Sequence, residues 1–550
     1  MNKKIRNIEE SRRHRRTRDQ FKGVKGVRDG YQARTNLVKD KDGKMLINEE
    51  EIKERWKEYF SELLNRPDPR NPLEDQEANH EALVDITEDE IIAAIKHLKN
   101  NKAAGVDNIC AELLKNGGPI LQAKLVDLFK LIWAEERLPE EWEEGIMVPL
   151  HKKNDRAECS NYRGLCLLTV GYKAYAAILC ERLAPYYTQV VGEYQAGFVG
   201  GKSTADNIFM LRQIAEKYRE FARTSWHVFV DYKQAYDSVH RPSLWNILRY
   251  FNIPEKLIRL IKACYTNSRS CVRVGGVLTN SFAVETGLRQ GCPLSCMLFN
   301  LTLEWVMRNT PSMQDEVSLT NGVLCDRLAY ADDADLMGET FQGRDRQLGH
   351  FNETGSRVGL EVSEGKTKVM KMSREQRTEE YIELGGFLLE EVDSFKYLGS
   401  IICVDNTMEE EIAERIAGAS KCSWSLNALL KSKLLTRRTK IQLYTTIVRP
   451  VLTYACETWT LTKELERRLL VFKHSVLRRM LGPVRDEVTG EWRIRHNREL
   501  RELTRLPPVT SFVRAQRLRW AGHVARMDPV CLLRRVFDGT PEGRRPPGRP

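Results

Sequence analysis

The sequence predicts an α+β fold in which a sheet that bears carboxylates lies between two helical regions. Residues 226–231 form a β-branched and aromatic run that ends in Asp231, and residues 328–337 form an apolar run interrupted by Asp332 and Asp333. Such runs are typical of buried strands. Before and after them, apolar residues recur at helical spacing. We therefore expect one central sheet with helices on either side of it in the chain.

The N-terminal part is predicted to be a basic arm followed by helices. Residues 1–34 are rich in Arg and Lys, which predicts a mobile arm that contacts nucleic acid or serves nuclear import; a merely solvated tail is the alternative. Residues 49–64 carry an apolar stripe at helical spacing. Thr87 and Glu90 have the spacing of a capping box at the start of a second helix. A helical region is thus expected over residues 35–130.

Three carboxylates are predicted to meet in one cleft. Adjacent Asp332 and Asp333 repel each other, and an unpaired buried carboxylate is costly. A divalent cation resolves this conflict, and Asp231 at the end of its own strand supplies a third oxygen ligand. Either acidic segment alone is better explained by a solvated turn. Together they predict a Mg²⁺ site with two ions, Mn²⁺ being the alternative metal.

The C-terminal part is predicted to be helical and basic. Apolar residues between 412 and 430 repeat at helical spacing. Five cations follow that could track a nucleic-acid duplex or simply face solvent: Lys431, Lys433, Arg437, Arg438 and Lys440. Residues 517–526 mix cations with Trp520 and His523, which fits stacking on nucleic acid and fits an amphipathic packing helix equally well. Residues 543–550 are extended and basic, which suggests a truncated reading frame.

Several segments together resemble the reverse transcriptases of LINE-like retrotransposons, those without long terminal repeats. Residues 229–239 resemble their motif A, residues 287–301 motif B, and residues 330–333 motif C. Further segments with the same resemblance, in family order, are 148–153, 161–164, 195–198, 203–206, 359–368 and 395–399. The series spans roughly residues 135–405, and its order makes it far more specific than any one motif.

The resemblance implies a right-hand polymerase fold. The implied domains are fingers and an antiparallel-sheet palm over residues 131–405, a helical thumb over residues 406–480, and a basic helical extension over residues 481–550. Within the palm, Asp231 and Asp332 would hold the metal ions and Asp333 would assist.

Other roles implied by the resemblance concern the nucleotide. Tyr236 would exclude a 2′-hydroxyl by steric clash, the alternative being a half-buried tyrosine at the end of a strand. Gln290 and Gly291 would let a nucleotide approach the backbone closely. Arg163 and Lys152 would meet the triphosphate, and Lys366 would protonate the leaving pyrophosphate. For each of these three cations the alternative is a solvated surface charge. Asp237 and Asp335 are expected to be supporting residues without a metal.

Charge and cysteine content agree with a polyanionic partner inside the cell. The net charge is +11, and residues 431–550 carry 27 Lys and Arg against 11 Asp and Glu. Residues 1–34 carry 12 against 4, so the remaining middle is acidic overall. Basic ends around an acidic body suit a protein that grips nucleic acid, because phosphate neutralisation dominates affinity. The 13 cysteines include no Cys-x-x-Cys pair, so neither a disulfide framework nor structural zinc is expected.

The sequence thus predicts an RNA-directed DNA polymerase that extends a DNA primer or target DNA with deoxynucleotides on an RNA template. The alternative is a catalytically silent nucleic-acid-binding remnant. Related elements carry an endonuclease domain before this module; no such segment is recognised, so we expect no target cleavage by this chain. No apolar run of membrane-spanning length occurs, and nuclear or cytoplasmic residence is expected.

Overall fold

The structure is a computed structural model that describes residues 1–29, 37–320, 322–374 and 380–547. Residues 30–34 of the predicted arm and the last three residues of the chain lie outside the described residues. Within the described ranges the fold mixes helices and sheets, as predicted.

The N-terminal segment differs from the predicted mobile arm. Residues 2–28 form two helices, α1 (Asn2–Arg13) and α2 (Thr17–Arg28), which pack together as a helical hairpin. Ile5, Ile8 and Val24 are buried on one side of this hairpin. A few apolar residues at helical spacing thus suffice to dock a segment whose overall composition is that of a solvated tail.

The next region is helical, as predicted. It contains a short hairpin and four helices: β1 (Val38–Lys39), β2 (Met45–Leu46), α3 (Glu49–Leu63), α4 (Glu88–His97), α5 (Ala111–Asn116) and α6 (Gly118–Glu135). The predicted capping box is confirmed at the start of α4. The Glu90 amide donates to Thr87 Oγ1 and the Thr87 amide donates to Glu90 Oε2, so that two amides at the helix start are satisfied.

Strands and helices are then mixed along the chain. In chain order these are β3 (Glu144–His151), β4 (Tyr162–Leu167), α7 (Val170–Val190), α8 (Thr204–Glu220), β5 (Ser225–Val230), α9 (Ala235–Ser238), α10 (Arg241–Tyr250), α11 (Glu255–Ala263), β6 (Arg269–Val274), β7 (Val277–Leu278), β8 (Phe282–Ala283), α12 (Leu294–Arg308), β9 (Val317–Leu319), β10 (Val323–Cys325), β11 (Arg327–Tyr330), β12 (Asp333–Gly338), α13 (Phe341–Ser356), β13 (Lys368–Met372), β14 (Tyr381–Leu384), β15 (Phe387–Glu391), β16 (Ser394–Tyr397) and β17 (Ser400–Cys403).

The central sheet has six strands in the order β11-β12-β5-β13-β15-β14. Four of its five pairings are antiparallel. The exception is β13 with β15, which run parallel, because the β14–β15 hairpin returns β15 beside β13. Along β5, Val228 and Val230 point into one core and Phe229 into another, so both faces of the sheet are covered.

A second sheet has the order β4-β3-β6-β7, with β8 also paired to β6. Strand β3 pairs antiparallel with β4 and parallel with β6. This sheet and the central sheet both contribute side chains to the largest core, which also takes in α7, α10 and α12.

The C-terminal part is helical, as predicted. It comprises α14 (Glu409–Ser425), α15 (Asn427–Lys431), α16 (Arg437–Leu443), a π-helical turn (Tyr444–Val448), α17 (Arg449–Leu452), α18 (Lys463–Leu481), the hairpin β18 (Val484–Arg485) and β19 (Trp492–Arg493), α19 (Asn497–Thr504), α20 (Val509–Ala525) and α21 (Leu532–Asp538). We call α14 to α18 the C-terminal bundle. It has its own core, which also receives Ile5, Ile8 and Val24 of the N-terminal hairpin.

The last helices return to the central body. Trp520 on α20 packs edge-on against Phe209 of α8, with 5.7 Å between ring centroids. This contact favours the packing interpretation of residues 517–526 over base stacking for Trp520. Lys217 on α8 donates to the carbonyls of Val536 and Phe537 at the end of α21, where a cation complements the helix dipole. No helix among the described residues is long and apolar enough to cross a membrane.

Candidate active site

The candidate site lies where two strands of the central sheet end. Asp231 directly follows β5, and β12 pairs with both β5 and β11. Tyr330 pairs with Asp333 across the β11–β12 hairpin, so Ala331 and Asp332 form its two-residue turn. The strand pairing therefore brings Asp231 and the Asp332–Asp333 pair to the same end of the sheet.

The turn is held in a conformation that its residues do not prefer. Ala331 has φ +55°, as two-residue hairpins require but alanine disfavours. Gln195 Oε1 accepts hydrogen bonds from the amides of Ala331 and Gly197, both at 2.8 Å. A Cβ atom on Gly197 would lie 2.2 Å from the Ala331 nitrogen, so only glycine permits this approach. Gln195 and Gly197 thus support the turn that carries Asp332.

A cleft of about 490 Å³ opens beside this turn. The structure brings all nine sequence-predicted site residues to its lining: Lys152, Arg163, Asp231, Tyr236, Gln290, Gly291, Asp332, Asp333 and Lys366. They come from six separate segments of the chain, so their meeting is a property of the fold. Asp237 and Phe198 line the same cleft.

The carboxylates of the cleft oppose one another electrostatically. Desolvation raises the pKa of Asp332, and the charge of Asp231 adds to that rise. The pKa of Asp333 is raised to about 6 by desolvation and by the charges of Asp332 and Asp231. Lys366 Nζ lies 2.9 Å from Asp231 Oδ1 and partly balances this negative charge. Desolvated, mutually repelling carboxylates favour a bound cation.

The carboxylates of the cleft are of the right type for a metal ion, but they do not converge closely on one point. Among the residues that the structure describes, no group of three or more His, Cys, Asp or Glu side chains converges closely enough to hold a metal ion. The donors themselves fit Mg²⁺, because all three are hard carboxylate oxygens directed to one cleft.

The ring of Tyr236, which lines the cleft, is backed by a second aromatic ring. Tyr236, in the short helix α9, stacks on Phe299 of α12 with 4.4 Å between centroids and 18° between planes. The stack orients the half-buried tyrosine ring. Tyr236 therefore lies in a helix rather than at a strand end, and its ring is fixed against the wall of the cleft.

The Gln290 side chain is fixed by Asp237. Its Nε2 donates to both carboxylate oxygens of Asp237, at 2.7 and 2.9 Å. Burial raises the pKa of Asp237 to about 6. Gly291 has φ +130°, and a Cβ atom there would lie 2.4 Å from the Cys166 carbonyl oxygen. The sequence predicted Asp237 to be a supporting residue. In the structure it positions Gln290, a residue predicted to bind the substrate.

Two further cations line the same cleft as the carboxylates. Arg163 lies on β4, and Lys152 follows β3, with its amide donating to the Asn161 carbonyl. Desolvation lowers the pKa of Lys152, and the charge of Arg163 lowers it further. The cleft thus combines carboxylates with cations, a set of charges that could bind both a metal ion and an anionic ligand.

Asp335 is not part of the cleft. It is fully buried, and its Oδ2 lies 3.1 Å from Nδ1 of the equally buried His227. His227 also bonds to Ser225 through Nε2 at 3.0 Å. Sequence reasoning missed this pair, and it missed the support that Gln195 gives to the turn. The only available signal for Gln195 was its place within the motif at residues 195–198.

Part of the chain is similar to a known protein family. Residues 150–402 match the family model of the reverse transcriptases (RNA-dependent DNA polymerases). This stretch contains the whole of the cleft lining described above.

Curated relatives match over longer stretches. The probable RNA-directed DNA polymerase from transposon X-element of Drosophila melanogaster is 25% identical, over 75% of this chain and 45% of its own length. The probable RNA-directed DNA polymerase from transposon BS of the same species is 24% identical, over 71% and 44%. The transposon TX1 uncharacterized 149 kDa protein of Xenopus laevis is 28% identical, over 48% and 21%. The chain thus matches less than half the length of each of these relatives.

Proposed function

We propose that the protein is an RNA-directed DNA polymerase derived from a retrotransposon, because residues 150–402 match the family model of the reverse transcriptases. One observation carries the proposal: the nine residues predicted for polymerisation, from six segments, line one cleft. The reaction is attack of a primer 3′-hydroxyl on the α-phosphate of a deoxynucleotide, with release of pyrophosphate. RNA template, DNA primer or target DNA, and deoxynucleotides are the proposed substrates.

In this proposal the carboxylates bind metal ions and the cations bind the triphosphate of the nucleotide. Asp231, Asp332 and Asp333 would hold divalent cations, Mg²⁺ or Mn²⁺. Such ions neutralise triphosphate charge and acidify the attacking hydroxyl. Arg163 and Lys152, which line the same cleft, would add charge-assisted hydrogen bonds to the triphosphate.

The remaining residues of the cleft select the nucleotide and assist the release of pyrophosphate. Tyr236 holds its ring against the position of the sugar through its stack on Phe299, which excludes a 2′-hydroxyl. Gln290 is oriented by Asp237 to contact the nucleotide. Lys366, which donates a hydrogen bond to Asp231, would give a proton to the pyrophosphate. We further propose the right-hand assignment, in which the central sheet is the palm and the C-terminal bundle the thumb.

Primer extension tests this proposal. The chain is given a DNA primer on an RNA template with Mg²⁺ and deoxynucleotides, and Asp332→Asn is compared with the unchanged protein. We expect extension by the unchanged protein and a loss of about a thousandfold or more in the variant, since a metal carboxylate contributes several kcal/mol to such a transition state.

Asp127→Asn is the matched control, because Asp127 is exposed on α6, outside the cleft. It should extend primers at the unchanged rate. If neither the unchanged protein nor the control extends a primer while both bind duplex nucleic acid, the polymerase assignment fails. The catalytically silent binding remnant then stands.

A further inference from the structure

Residues 234–240, which contain α9 and carry Tyr236 and Asp237, are called the α9 segment below. On one side this segment is held by the chain that precedes α12. The Leu288 amide donates to the Tyr236 carbonyl at 2.7 Å. A Cβ atom on Gly287 would lie 2.6 Å from the Asp237 carbonyl oxygen, so the two backbones are in close contact.

Further contacts of the α9 segment come from far earlier in the chain. Arg66 Nη2 donates to Gln234 Oε1 at 2.5 Å, and Gln234 Nε2 donates to Tyr59 Oη of α3 at 3.4 Å. Both ends of the Gln234 side-chain amide are therefore fixed by the N-terminal region. At the other end of the segment, His240 Nε2 lies 3.1 Å from Asp68 Oδ1.

The stretch that contains Arg66, residues 64–73, is itself anchored at both ends. At its start the Leu64 carbonyl accepts from the Thr286 amide at 2.9 Å. At its end the Leu73 amide donates to Ser243 Oγ of α10 at 3.3 Å. Three prolines within it fix their own φ angles and restrict the residues before them. We call residues 64–73 the strap, and it offers Arg66 from a fixed position.

Arg66 acts on the cleft from outside it. Gln234 lines the cleft, whereas Arg66 does not. Burial raises the pKa of Asp237 to about 6, and the positive charges of Lys152 and Arg66 oppose that rise. Arg66 thus affects two groups of the α9 segment, Gln234 through a hydrogen bond and Asp237 through its charge.

The backbone of the α9 segment needs such support where Arg66 supplies it. Gln234 has φ +52°, in the left-handed region that residues other than glycine disfavour. Such a conformation persists only where the surroundings hold it. Tyr236 follows two residues later, so freedom at Gln234 would move its ring relative to the Phe299 ring on which it stacks.

We propose that Arg66 is a positioning residue, which acts through Gln234 to keep the ring of Tyr236 in its place in the cleft. The inference rests on the proposed function for the reaction that it affects. Arg66 lies outside residues 150–402, the stretch that matches the reverse transcriptase model. The N-terminal region therefore takes part in selecting the nucleotide.

The test compares Arg66→Ala and Arg66→Lys with a matched control, Arg70→Ala. Arg70 lies on the same strap and is exposed, without an ion pair among the described residues. For each protein, kcat and KM are measured in primer extension with a deoxynucleotide and with the matching ribonucleotide, and Tm is recorded.

Arg66→Ala should raise KM for the deoxynucleotide about fivefold and lower discrimination against the ribonucleotide about threefold or more, because a small displacement of a positioned group weakens selection. Its kcat and Tm should stay close to those of the unchanged protein. Arg66→Lys keeps a charged donor and should recover most of both losses. Arg70→Ala should select normally. Equal KM and discrimination in Arg66→Ala and Arg70→Ala would overturn the proposal, as would a fall in Tm and kcat with selectivity unchanged.

A double variant tests the route through Gln234. Arg66→Ala combined with Gln234→Ala should lose no more discrimination than the more affected single variant, because the two residues act as one unit. Additive losses would show that Arg66 does not act through Gln234, and the proposal would fail.

Amide hydrogen exchange separates this inference from the proposed function, because it needs no polymerase activity. Peptides that cover the α9 segment should exchange faster in Arg66→Ala than in the unchanged protein or in Arg70→Ala. If they do so while no protein extends a primer, the proposed function falls and positioning by Arg66 stands. If the unchanged protein extends primers while loss of Arg66 alters neither exchange nor selectivity, positioning by Arg66 falls and the proposed function stands.

Discussion

Strand β12 contains two aspartates, two residues apart, whose surroundings could hardly differ more. Asp333 opens the strand at the cleft, exposed and next to two other carboxylates. Asp335 is fully buried and bonded to His227. The cleft gathers carboxylates that repel one another, whereas the interior pairs a single buried carboxyl group with an imidazole. The same residue type on one strand thus marks a candidate site in one place and supports the sheet in the other.

This contrast predicts which substitutions affect stability and which affect activity. A buried polar pair is costly to break, because the remaining partner cannot be hydrated. A group in a cleft of repelling charges can be removed without such a loss. Four predictions follow from the buried region outward to the cleft.

The largest effect on stability is expected from Asp335→Ala. It leaves His227 buried without its carboxylate, so the free energy of unfolding should fall by about 3–5 kcal/mol. Denaturant unfolding measures it, with Asp333→Ala as the control. If the two variants unfold at the same denaturant concentration, the distinction between the two ends of β12 is wrong.

Gln195→Ala should affect both properties, because Gln195 joins the buried region to the cleft. It is 2% exposed and accepts from two amides next to the turn. Leaving buried amides unpaired costs about 1–3 kcal/mol, and the Asp332 turn loses its support. We expect a lower Tm and slower primer extension per folded molecule. Loss of stability without loss of activity would exclude a positioning role.

Tyr236→Ala should change selectivity more than stability. The ring contacts the Phe299 ring, and its removal opens space for a 2′-hydroxyl. We expect discrimination against ribonucleotides to fall by about tenfold or more, that is about 1.4 kcal/mol or more in relative kcat/KM. Tyr236→Phe keeps the ring and should discriminate normally. Unchanged discrimination in Tyr236→Ala would rule out the steric gate.

Local patterns predicted much of the fold and of the cleft. The β5 strand could be predicted because Val228 and Val230 alternate with residues that face the other core, and α4 because its capping box is contiguous in sequence. The contact of Gln195 with Ala331 could not be predicted, since it joins segments 136 residues apart. Asp237 with Gln290 is a similar case.

The N-terminal hairpin shows a different limit. Its few buried apolar residues lie among many cations, so composition suggested a mobile arm. The burial of Glu9 against Thr436 depends on a partner segment more than four hundred residues away. Docking of this kind depends on the surface that receives the segment, which local periodicity does not describe.

The smallest expected effect is a pH dependence of stability that originates at Asp333. Its pKa is raised to about 6 in the folded protein, from an ordinary value of 3.8. Between these values the folded protein holds a proton that the unfolded chain has lost, so stability should fall as pH rises from about 4 to about 6. With a chelator present, Asp333→Asn should flatten this part of the profile. Added Mg²⁺ should flatten it in the unchanged protein by compensating the negative charge of the carboxylates.

Asp127→Asn is the control for this profile. It removes an exposed carboxylate on α6, outside the cleft, and should leave the dependence of stability on pH unchanged. A profile for Asp333→Asn as steep as that of the unchanged protein would show that the repulsion lies elsewhere in the cleft, with Asp237 as the next residue to test, because burial raises its pKa to about 6 as well.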